Sequence, residues 1–395
     1  MALNYVTLAG SLPQRPQVLP LFSPLVLDFL KALEQGIRQD PALSSDPACA
    51  ALAFWLRRKH IESFRDVTPS WPQRLGRGLM FHVTPTNIPI MFAYSLIISL
   101  LAGNSNVVRI SPRVEAAMAP LWQLIGRLWQ QPEFALLQNS NALISYGRDK
   151  AIMDELTDRC DGRIIWGGDD SIREIRKSSL PPQAVELVFA DRYSLALFDA
   201  PTLAAATDAE LSGLAHRFYN DTYDMDQNAC SSPKLICWLN AAPDTWEALQ
   251  KRWWQAVGSA AGKYDLAPIK VSHKYTDLWS FAMDRPEISR IDQYDGQLLY
   301  VYSLSSLPDD LSALSGTLGQ FFQYTLKDMP EFLAHLGKKV QTISTLGIDP
   351  DQLRQALIDA GVLGGDRIVS VGQAMDMHVR WDGVNMVESL SRIIS

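Results

Sequence analysis

Cys230 stands in the segment of this chain whose residue types best suit nucleophilic chemistry. It follows a polar, Asp-rich loop and precedes two serines and Pro233, which fixes the chain as it enters an apolar run. Backbone N–H groups and hydroxyls around a thiol stabilise the thiolate, which is the nucleophile. Packing as a small apolar side chain is the alternative, and we expect that role for Cys49, Cys160 and Cys237. Spacing alone leaves both roles open for Cys230.

Asn87 is the second candidate for chemistry. The run TPTNIP places it between Pro85 and Pro89. Prolines restrict the turn, so the amide of Asn87 would point in one fixed direction, as a hydrogen-bond donor to an oxyanion must. An ordinary Asn-containing turn is the alternative, and the residue taken by itself favours that alternative.

Two further places suit a nucleotide. Arg109 and Ser111 close a β-branched run, and a guanidinium there can meet a phosphate. Gly167-Gly168 separates an apolar run from a helical segment, where backbone can approach a pyrophosphate. A surface charge and a plain strand–helix turn are the alternatives, since the pair of glycines is not the GxGxxG fingerprint.

The histidines predict no metal site. None of the six has the HxxxH or HExxH spacing that places two ligands on one helix face. His82 lies close to the Asn87 turn, and we expect it to be a hydrogen-bonded structural residue.

The hydrophobic pattern alternates between strand and helix periods. The predicted strands are Gly78–His82, Asn106–Ile110, Asn141–Tyr146, Arg163–Trp166, Lys234–Leu239, Gln297–Tyr302 and Lys339–Ile343. The predicted helices are Ser23–Arg38, Ala48–Phe64, Ile88–Gly103, Pro112–Trp129, Asp149–Arg159, Asp170–Lys177, Thr202–Tyr219 and Asp244–Ala260. Such alternation predicts mostly parallel, doubly wound α/β sheets, whose ligands lie at the carboxyl ends of the strands. Asn87, Arg109 and Gly167 all lie at or just after such ends.

Composition narrows the class of protein. The chain has 395 residues, which predicts more than one domain, and its net charge of −7 argues against a nucleic-acid binder. Four cysteines without a CxxC pair favour a reducing compartment. The apolar run Ile88–Gly103 is shorter than a membrane span, and the amino terminus lacks the pattern of a signal peptide. We therefore expect a cytoplasmic protein without a membrane span.

Two segments together resemble a known superfamily. The run GLMFHVTPTNIPIMFAYSLIISLLAGNSNVVRISPR is similar to the aldehyde dehydrogenase block in which a Pro-x-Asn-x-Pro turn precedes a helix, Gly-Asn and a strand with a basic end. The run DMDQNACSSPKLI resembles the nucleophile loop of that superfamily. The form DQNACSSP, the pair Gln341-Thr342 and the ending GGDRIVSVGQAMDMHVRWDG resemble the LuxC family of acyl-CoA reductases. The resemblance runs from about Gly78 to the carboxyl terminus.

The resemblance implies an aldehyde dehydrogenase-like fold, with two doubly wound α/β domains and the active site in the cleft between them. We expect a cofactor-binding domain over residues 1–192, with a helical amino-terminal segment, and a catalytic domain over 193–370. We expect the tail, 371–395, to pack back on the body.

The resemblance also implies a reaction. Cys230 would attack a fatty acyl thioester, either acyl-CoA or acyl-protein, and Asn87 with the Cys230 backbone N–H would hold the oxyanion. Hydride from a nicotinamide cofactor would then give the aldehyde. Arg109 matches the position of a superfamily lysine that reaches the adenosine ribose, which favours NADPH, with NADH possible. Ser111 and Gly167-Gly168 would lie near the nucleotide.

Glu186 marks a departure from the aldehyde-oxidising members. These carry a glutamate in a Glu-Leu-Gly-Gly context that activates water, whereas Glu186-Leu187 lacks the two glycines. We expect Glu186 to be a sheet-edge residue, so that water deacylates Cys230 slowly. The alternatives are an aldehyde-oxidising or acyl-phosphate-reducing relative, and a catalytically idle scaffold subunit. The resemblance further implies a homo-oligomer that works with an acyl-protein synthetase and an acyltransferase.

Overall fold

A computed structural model describes residues 4–395. The chain divides into two compact units. Unit 1 takes the chain up to Ala190 together with Met377–Ser395, and unit 2 is Asp191–Asp376. The observed boundaries between the units lie after residues 190 and 376. The predicted domain boundaries lie after residues 192 and 370. Residues 371–376 thus belong to unit 2.

Residues 4–190 of unit 1 form ten α-helices and seven strands. The strands are β1 Val6–Gly10, β2 Arg74–Gly76, β3 Leu79–Val83, β4 Ser105–Ile110, β5 Asn141–Ser145, β6 Gly162–Trp166 and β7 Val185–Phe189. The helices are α1 Pro24–Gln39, α2 Pro41–Ser44, α3 Pro47–Trp55, α4 Arg58–Ser63, α5 Met91–Leu101, α6 Pro112–Glu115, α7 Ala119–Trp129, α8 Ala135–Ser140, α9 Lys150–Arg159 and α10 Asp169–Ile175.

The six-stranded sheet of unit 1 is doubly wound. Its strand order is β1-β5-β4-β3-β6-β7, and all pairs are parallel except β1 with β5. The chain adds β4 and β5 on one side of β3 and then crosses to add β6 and β7 on the other. The place between β3 and β6 is therefore the topological switch point, where ligands bind at the carboxyl ends in sheets of this kind.

Helix α5 is buried along its whole length. All eleven of its side chains are buried, so the predicted apolar helix is confirmed as a core helix. By contrast, two predicted long helices are wrong as single elements. Residues 48–64 break into α3 and α4, since Leu56 ends α3 and the backbone of Arg57 leaves the helical region, with ψ of 129°. Residues 112–129 break at Met118, whose backbone leaves the helical region.

Unit 2 adds six helices and seven strands. The strands are β8 Tyr193–Asp199, β9 Pro233–Leu239, β10 Ile288–Tyr294, β11 Leu299–Leu304, β12 Gln320–Thr325, β13 Val340–Leu346 and β14 Arg367–Ser370. The helices are α11 Ala200–Ala205, α12 Asp208–Thr222, α13 Trp246–Ala261, α14 Pro268–Asp284, α15 Met329–Ala334 and α16 Pro350–Ala360. The predicted helix 202–219 is wrong as one element, because Thr207 begins α12 with a reciprocal capping box to Glu210.

The sheet of unit 2 brings three strand beginnings together. Its order is β10-β11-β12-β9-β8-β13-β14, antiparallel only between β10 and β11. In the register, Ser194 lies opposite Pro233, and Tyr193 lies opposite Val340. The first residues of β9, β8 and β13 are therefore neighbours at the amino edge of the sheet.

An aromatic core packs against the carboxyl ends of β8 and β9. Phe198 meets Trp238 and Trp253 edge-to-face, with ring centroids 5.4 and 5.2 Å apart. Both Trp238 and Trp254 donate their indole N–H to the side-chain oxygen of Gln323, so the buried nitrogens are satisfied.

The final segment of the chain returns to unit 1. It contains β15 Arg380–Trp381, β16 Val384–Asn385, α17 Met386–Ser389 and β17 Ser391–Ile393. Strand β17 pairs antiparallel with β2, and Arg77 donates to the backbone oxygen of Ser389. No helix among residues 4–395 has both the length and the apolar character required to span a bilayer.

Candidate active site

The loop before β9 presents Cys230 through an unusual backbone. Asp226 and Gln227 have φ of +54° and +60°, which turns the chain sharply just before Cys230. The fully buried side chain of Gln227 stabilises this turn with four hydrogen bonds. Its amide nitrogen donates to the backbone oxygens of Pro233 and Gln320, and its oxygen accepts from the backbone N–H groups of Gly319 and Gln320. The loop is thereby joined to the amino end of β12.

Ser194 fixes the backbone of Cys230 itself. The Ser194 hydroxyl donates to the Cys230 backbone oxygen at 2.6 Å and accepts from the backbone N–H of Thr342 at 3.1 Å. This buried hydroxyl therefore joins the first residues of β8 and β13 to the cysteine loop. Cys230 is half-buried, so a reactant can reach its sulfur.

The sulfur of Cys230 has a side-chain donor. Gln341, the second residue of β13, directs Nε2 at Sγ over 3.5 Å. The hydroxyl of Thr342 donates to Oε1 of the same amide at 3.3 Å. A thiol in reach of an amide N–H can ionise more readily than one packed among hydrocarbon groups.

Two cationic side chains interact electrostatically with the same thiol. Lys234 is buried and donates Nζ to the backbone oxygens of Gln227 and Gly316, at 2.6 and 2.9 Å. Burial lowers the pKa of Lys234 to about 8, while its interaction with Cys230 opposes that fall. Arg367 also interacts electrostatically with Cys230, and burial lowers its pKa from a high ordinary value. Both cations favour a thiolate at Cys230.

A strap formed by residues 371–376 lies against the cysteine loop. Arg367 donates to three backbone oxygens of this strap, and the buried carboxylate of Asp221 accepts from the backbone N–H groups of Gly372 and Ala374. Burial raises the pKa of Asp221 to about 7 despite these two donors. The strap places the sulfur of Met375 at 3.6 Å from the Ser231 hydroxyl, beside Cys230.

The other three cysteines are packed side chains, as predicted. Cys49, Cys160 and Cys237 are buried, and burial raises the pKa of each thiol above its ordinary value. Within the described chain all four cysteines are free thiols. Cys230 is thus the accessible one.

Asn87 lies in unit 1, in the turn between β3 and α5. Its side chain is exposed, and the hydroxyl of Thr84 holds the start of the turn by donating to the Arg109 backbone oxygen at 2.7 Å. The turn thus follows the carboxyl end of β3, at the switch point of the sheet. The catalytic role of Asn87 stays a prediction.

Arg109 and Ser111 lie at the carboxyl end of β4, next to β3. The Arg109 guanidinium donates from Nε and Nη2 to the Tyr146 backbone oxygen and lies over the Tyr146 ring, 4.9 Å from its centroid. Burial lowers the pKa of Arg109 from a high ordinary value. Ser111 caps α6 by accepting from the backbone N–H of Arg113 at 3.4 Å.

Gly167 and Gly168 lie at the carboxyl end of β6, on the other side of the switch point. A Cβ at Gly167 would meet only Ser171, at 3.7 Å, and the backbone there does not require glycine. Space is therefore available beside this backbone. Asp169 and Asp170 occupy the first turn of α10, and their negative charge disfavours a phosphate at that helix end.

Glu186 lies on β7, the edge strand, as expected. Its carboxylate accepts from Arg163 at 2.6 Å and from Arg176 at 2.7 Å. Arg163 is almost fully buried and also donates to the Ser178 backbone oxygen. Both carboxylate oxygens are therefore engaged by guanidinium groups.

His82 is a structural histidine, as predicted. Its ring nitrogens lie 2.7 Å from Ser95 Oγ and 3.0 Å from Asn106 Oδ1, and burial lowers its pKa to about 4. Among residues 4–395 no group of three His, Cys, Asp or Glu side chains is arranged to hold a metal ion.

Sequence reasoning assigned no role to Ser194, Lys234 or Asp221. One signal was available for Lys234, because this charged residue begins the otherwise apolar run KLICWL. A lysine is rarely buried unless its ammonium group has a partner. Ser194 and Asp221 carry no comparable signal, since their partners lie 36 and about 150 positions away along the chain.

Comparison with solved structures supports the fold. Lactaldehyde dehydrogenase from Escherichia coli matches with a TM-score of 0.63 and 10% identity, over 94% of this chain and 87% of that one. Aldehyde dehydrogenase 21 from Physcomitrella patens, solved with the product succinate, matches with a TM-score of 0.64 and 11% identity, over 93% and 84%. The fold is thus that of the aldehyde dehydrogenases.

Comparison by sequence gives the family. A long-chain acyl-protein thioester reductase from Vibrio harveyi is 27% identical over 164 residues, 40% of this chain and 32% of that protein. Long-chain acyl-protein thioester reductase 2 from Photobacterium leiognathi is 25% identical over 171 residues, 43% and 34%. The matched segment thus spans about a third of these relatives. The acyl-CoA reductase (LuxC) family matches residues 53–258, just over half of the chain, and the chain belongs to that family.

Proposed function

We propose that this protein reduces a fatty acyl thioester to an aldehyde through an acyl group held covalently on Cys230. The observation that carries the proposal is the setting of that thiol. It is half-buried, fixed through its backbone by Ser194, in contact with an amide donor and near two cations. This is the environment that favours a reactive thiolate.

The chemistry follows from the thiolate. Sγ attacks the carbonyl carbon of the thioester, and the C=O electron pair moves to oxygen. Asn87, with the Cys230 backbone N–H, is our proposed pair of donors to that oxyanion. The C–S bond to the donor thiol then breaks, which leaves the acyl group on Cys230. After reduction of the acyl carbon, the aldehyde leaves and the thiolate of Cys230 returns.

A bound reduced nicotinamide nucleotide would supply the hydride. The carboxyl edge of the unit 1 sheet fits such a group, since Gly167 leaves space beside the backbone at the switch point. Because Asp169 and Asp170 disfavour phosphate at α10, we assign the phosphates to Arg109 and Ser111. Arg109 Nη1 donates to none of the described residues, so a 2′-phosphate, and hence NADPH, is our preferred assignment.

The engagement of Glu186 supports reduction over oxidation of aldehydes. A carboxylate that accepts from two guanidinium groups is a poor base towards water. The names of the matched relatives support an acyl-protein or acyl-CoA donor, and we propose a homo-oligomer served by an acyl-protein synthetase and an acyltransferase. The four free thiols suit a reducing compartment, so we assign the reaction to the cytoplasm.

The test is cofactor consumption with a series of acyl-CoA substrates. Wild type and Cys160→Ala should oxidise NADPH and release aldehyde, whereas folded Cys230→Ser should lose at least about a thousandfold in rate. Cys160 is a matched control because it is a buried thiol in unit 1. Equal activity in Cys230→Ser and wild type would overturn the proposed mechanism.

A further inference from the structure

We propose that Gln341 is a further catalytic residue, whose side-chain amide N–H stabilises the thiolate of Cys230. The inference rests on the proposed function for its place in the reaction, but its physical content concerns the thiol alone. It begins from the 3.5 Å contact between Gln341 Nε2 and Cys230 Sγ, which is a normal length for a hydrogen bond to sulfur.

The orientation of the amide follows from the sulfur that it faces. A glutamine side chain presents donors at one end and an acceptor at the other, and only the hydrogen-bond network decides which end faces the sulfur. With the nitrogen facing Sγ, Oε1 is also satisfied, because Thr342 Oγ1 donates to it at 3.3 Å. The reversed amide would set two acceptors, Oε1 and a thiolate, against each other.

The position of the amide is fixed by the sheet. Gln341 is 1% exposed and is the second residue of β13, where the pairing with β8 shifts register between Val340 and Ile343. Through Ser194, the adjacent residue Thr342 also holds the backbone oxygen of Cys230. One dipeptide, Gln341-Thr342, therefore sets both the main chain and the thiol of the nucleophile. A pre-oriented donor needs little reorganisation when charge appears on sulfur.

Charge alone does not explain this donor. The ammonium group of Lys234 donates to the backbone oxygens of Gln227 and Gly316. The guanidinium of Arg367 donates to backbone oxygens of the strap 371–376. These cations supply a favourable field, whereas Gln341 supplies a directed N–H. The direction matters at two stages. The N–H stabilises the free thiolate before attack, and it stabilises the departing sulfur when the C–S bond of the reduced adduct breaks and its electron pair returns to Sγ.

The experiment measures how fast Cys230 reacts with iodoacetamide across a range of pH, in the full chain without substrate or nucleotide. Peptide mass spectrometry separates Cys230 from the three buried cysteines. Removing the donor in Gln341→Leu should move the pH midpoint of alkylation up by about one unit, a tenfold smaller thiolate fraction near neutral pH. Gln341→Glu keeps the shape and places a carboxylate at the sulfur, so its midpoint should rise further.

Gln355→Leu is the matched control, since Gln355 is an exposed glutamine of unit 2 on α16. Its alkylation profile should superimpose on that of the wild type. Unshifted midpoints in the Gln341 variants would overturn the proposal. If Gln341→Leu does not fold, Gln341→Met decides the matter, because it also lacks the N–H donor and carries no charge. Because alkylation involves no acyl group, a shifted midpoint stands even if acyl-CoA reduction is not found.

Discussion

The carboxylate of Glu186 lies 2.6 Å from the guanidinium of Arg163, and we propose that this pairing leaves Glu186 without a role in water activation. Folded Glu186→Gln should therefore hydrolyse acylated Cys230 at a rate within about twofold of wild type, while its unfolding free energy falls by about 1–3 kcal/mol. Hydrolysis of the acyl-enzyme and urea denaturation measure the two effects. Glu174→Gln, at an exposed position on α10, is the control for loss of a surface carboxylate. A tenfold slower hydrolysis in Glu186→Gln would make Glu186 the base.

Ser194 links Cys230 to β13, so its hydroxyl should matter for both stability and rate. Ser194→Ala leaves the Cys230 oxygen and the Thr342 N–H without their buried partner, which should cost about 1–3 kcal/mol of unfolding free energy. We expect acylation of Cys230 to slow by about tenfold, because the thiol loses its fixed position. Stopped-flow acylation and urea denaturation check both. Ser289→Ala removes an exposed hydroxyl on β10 and should change neither. An unchanged acylation rate in Ser194→Ala would contradict the positioning role.

Arg109 should decide between the two nicotinamide nucleotides. If its guanidinium holds a 2′-phosphate, Arg109→Gln should raise KM for NADPH by at least about tenfold and KM for NADH much less. Steady-state kinetics with both nucleotides provide the measurement, and Arg127→Gln, exposed on α7, provides the control. Equal rises of both KM values would show that Arg109 acts only by holding the Tyr146 backbone.

His82 should make the unfolding free energy depend on pH. Its pKa in the folded protein is about 4, against an ordinary value of 6.5, so the unfolded chain takes up the proton first as the pH falls. The stabilisation is therefore complete above about pH 6.5 and is lost as the pH falls towards 4. Between about pH 7 and pH 5 the loss should be on the order of 2 kcal/mol. Urea denaturation at both pH values measures it.

His82→Gln should flatten that part of the profile, since glutamine does not titrate. His216→Gln is the control, because His216 is exposed on α12. If His82→Gln keeps the full wild-type slope, the buried histidine is not its source.

The nucleophile loop was predictable from the sequence because its signal is local. Cys230, its polar approach and Pro233 all lie within a few residues of one another. The contact with Gln341 spans 111 positions, and it exists only because β8, β9 and β13 lie side by side in one register. Periodicity identifies strands but does not order them within a parallel sheet. The partners of Cys230 were therefore beyond prediction from local patterns.

The edge strand β10 of the unit 2 sheet was also beyond prediction from local patterns. Strand β10, ISRIDQY, carries exposed charges and lacks the apolar run that marks a buried strand, so the sequence did not indicate it. The central strands β3, β4 and β6, buried on both faces, were all predicted to within a residue or two. Glycine at 167 is required neither by the backbone nor by close packing, since an added Cβ would meet only Ser171 at 3.7 Å.

The most direct test of the account is the mass of the protein after mixing with a long-chain acyl-CoA in the absence of nucleotide. We predict one added acyl group, located on the peptide that contains Cys230 and removed by hydroxylamine, and we predict that reduced nucleotide converts it to aldehyde. Cys230→Ser should carry no hydroxylamine-sensitive group. An acyl group on another residue, or the same thioester yield in Cys230→Ser, would contradict the claim that this thiol is the nucleophile.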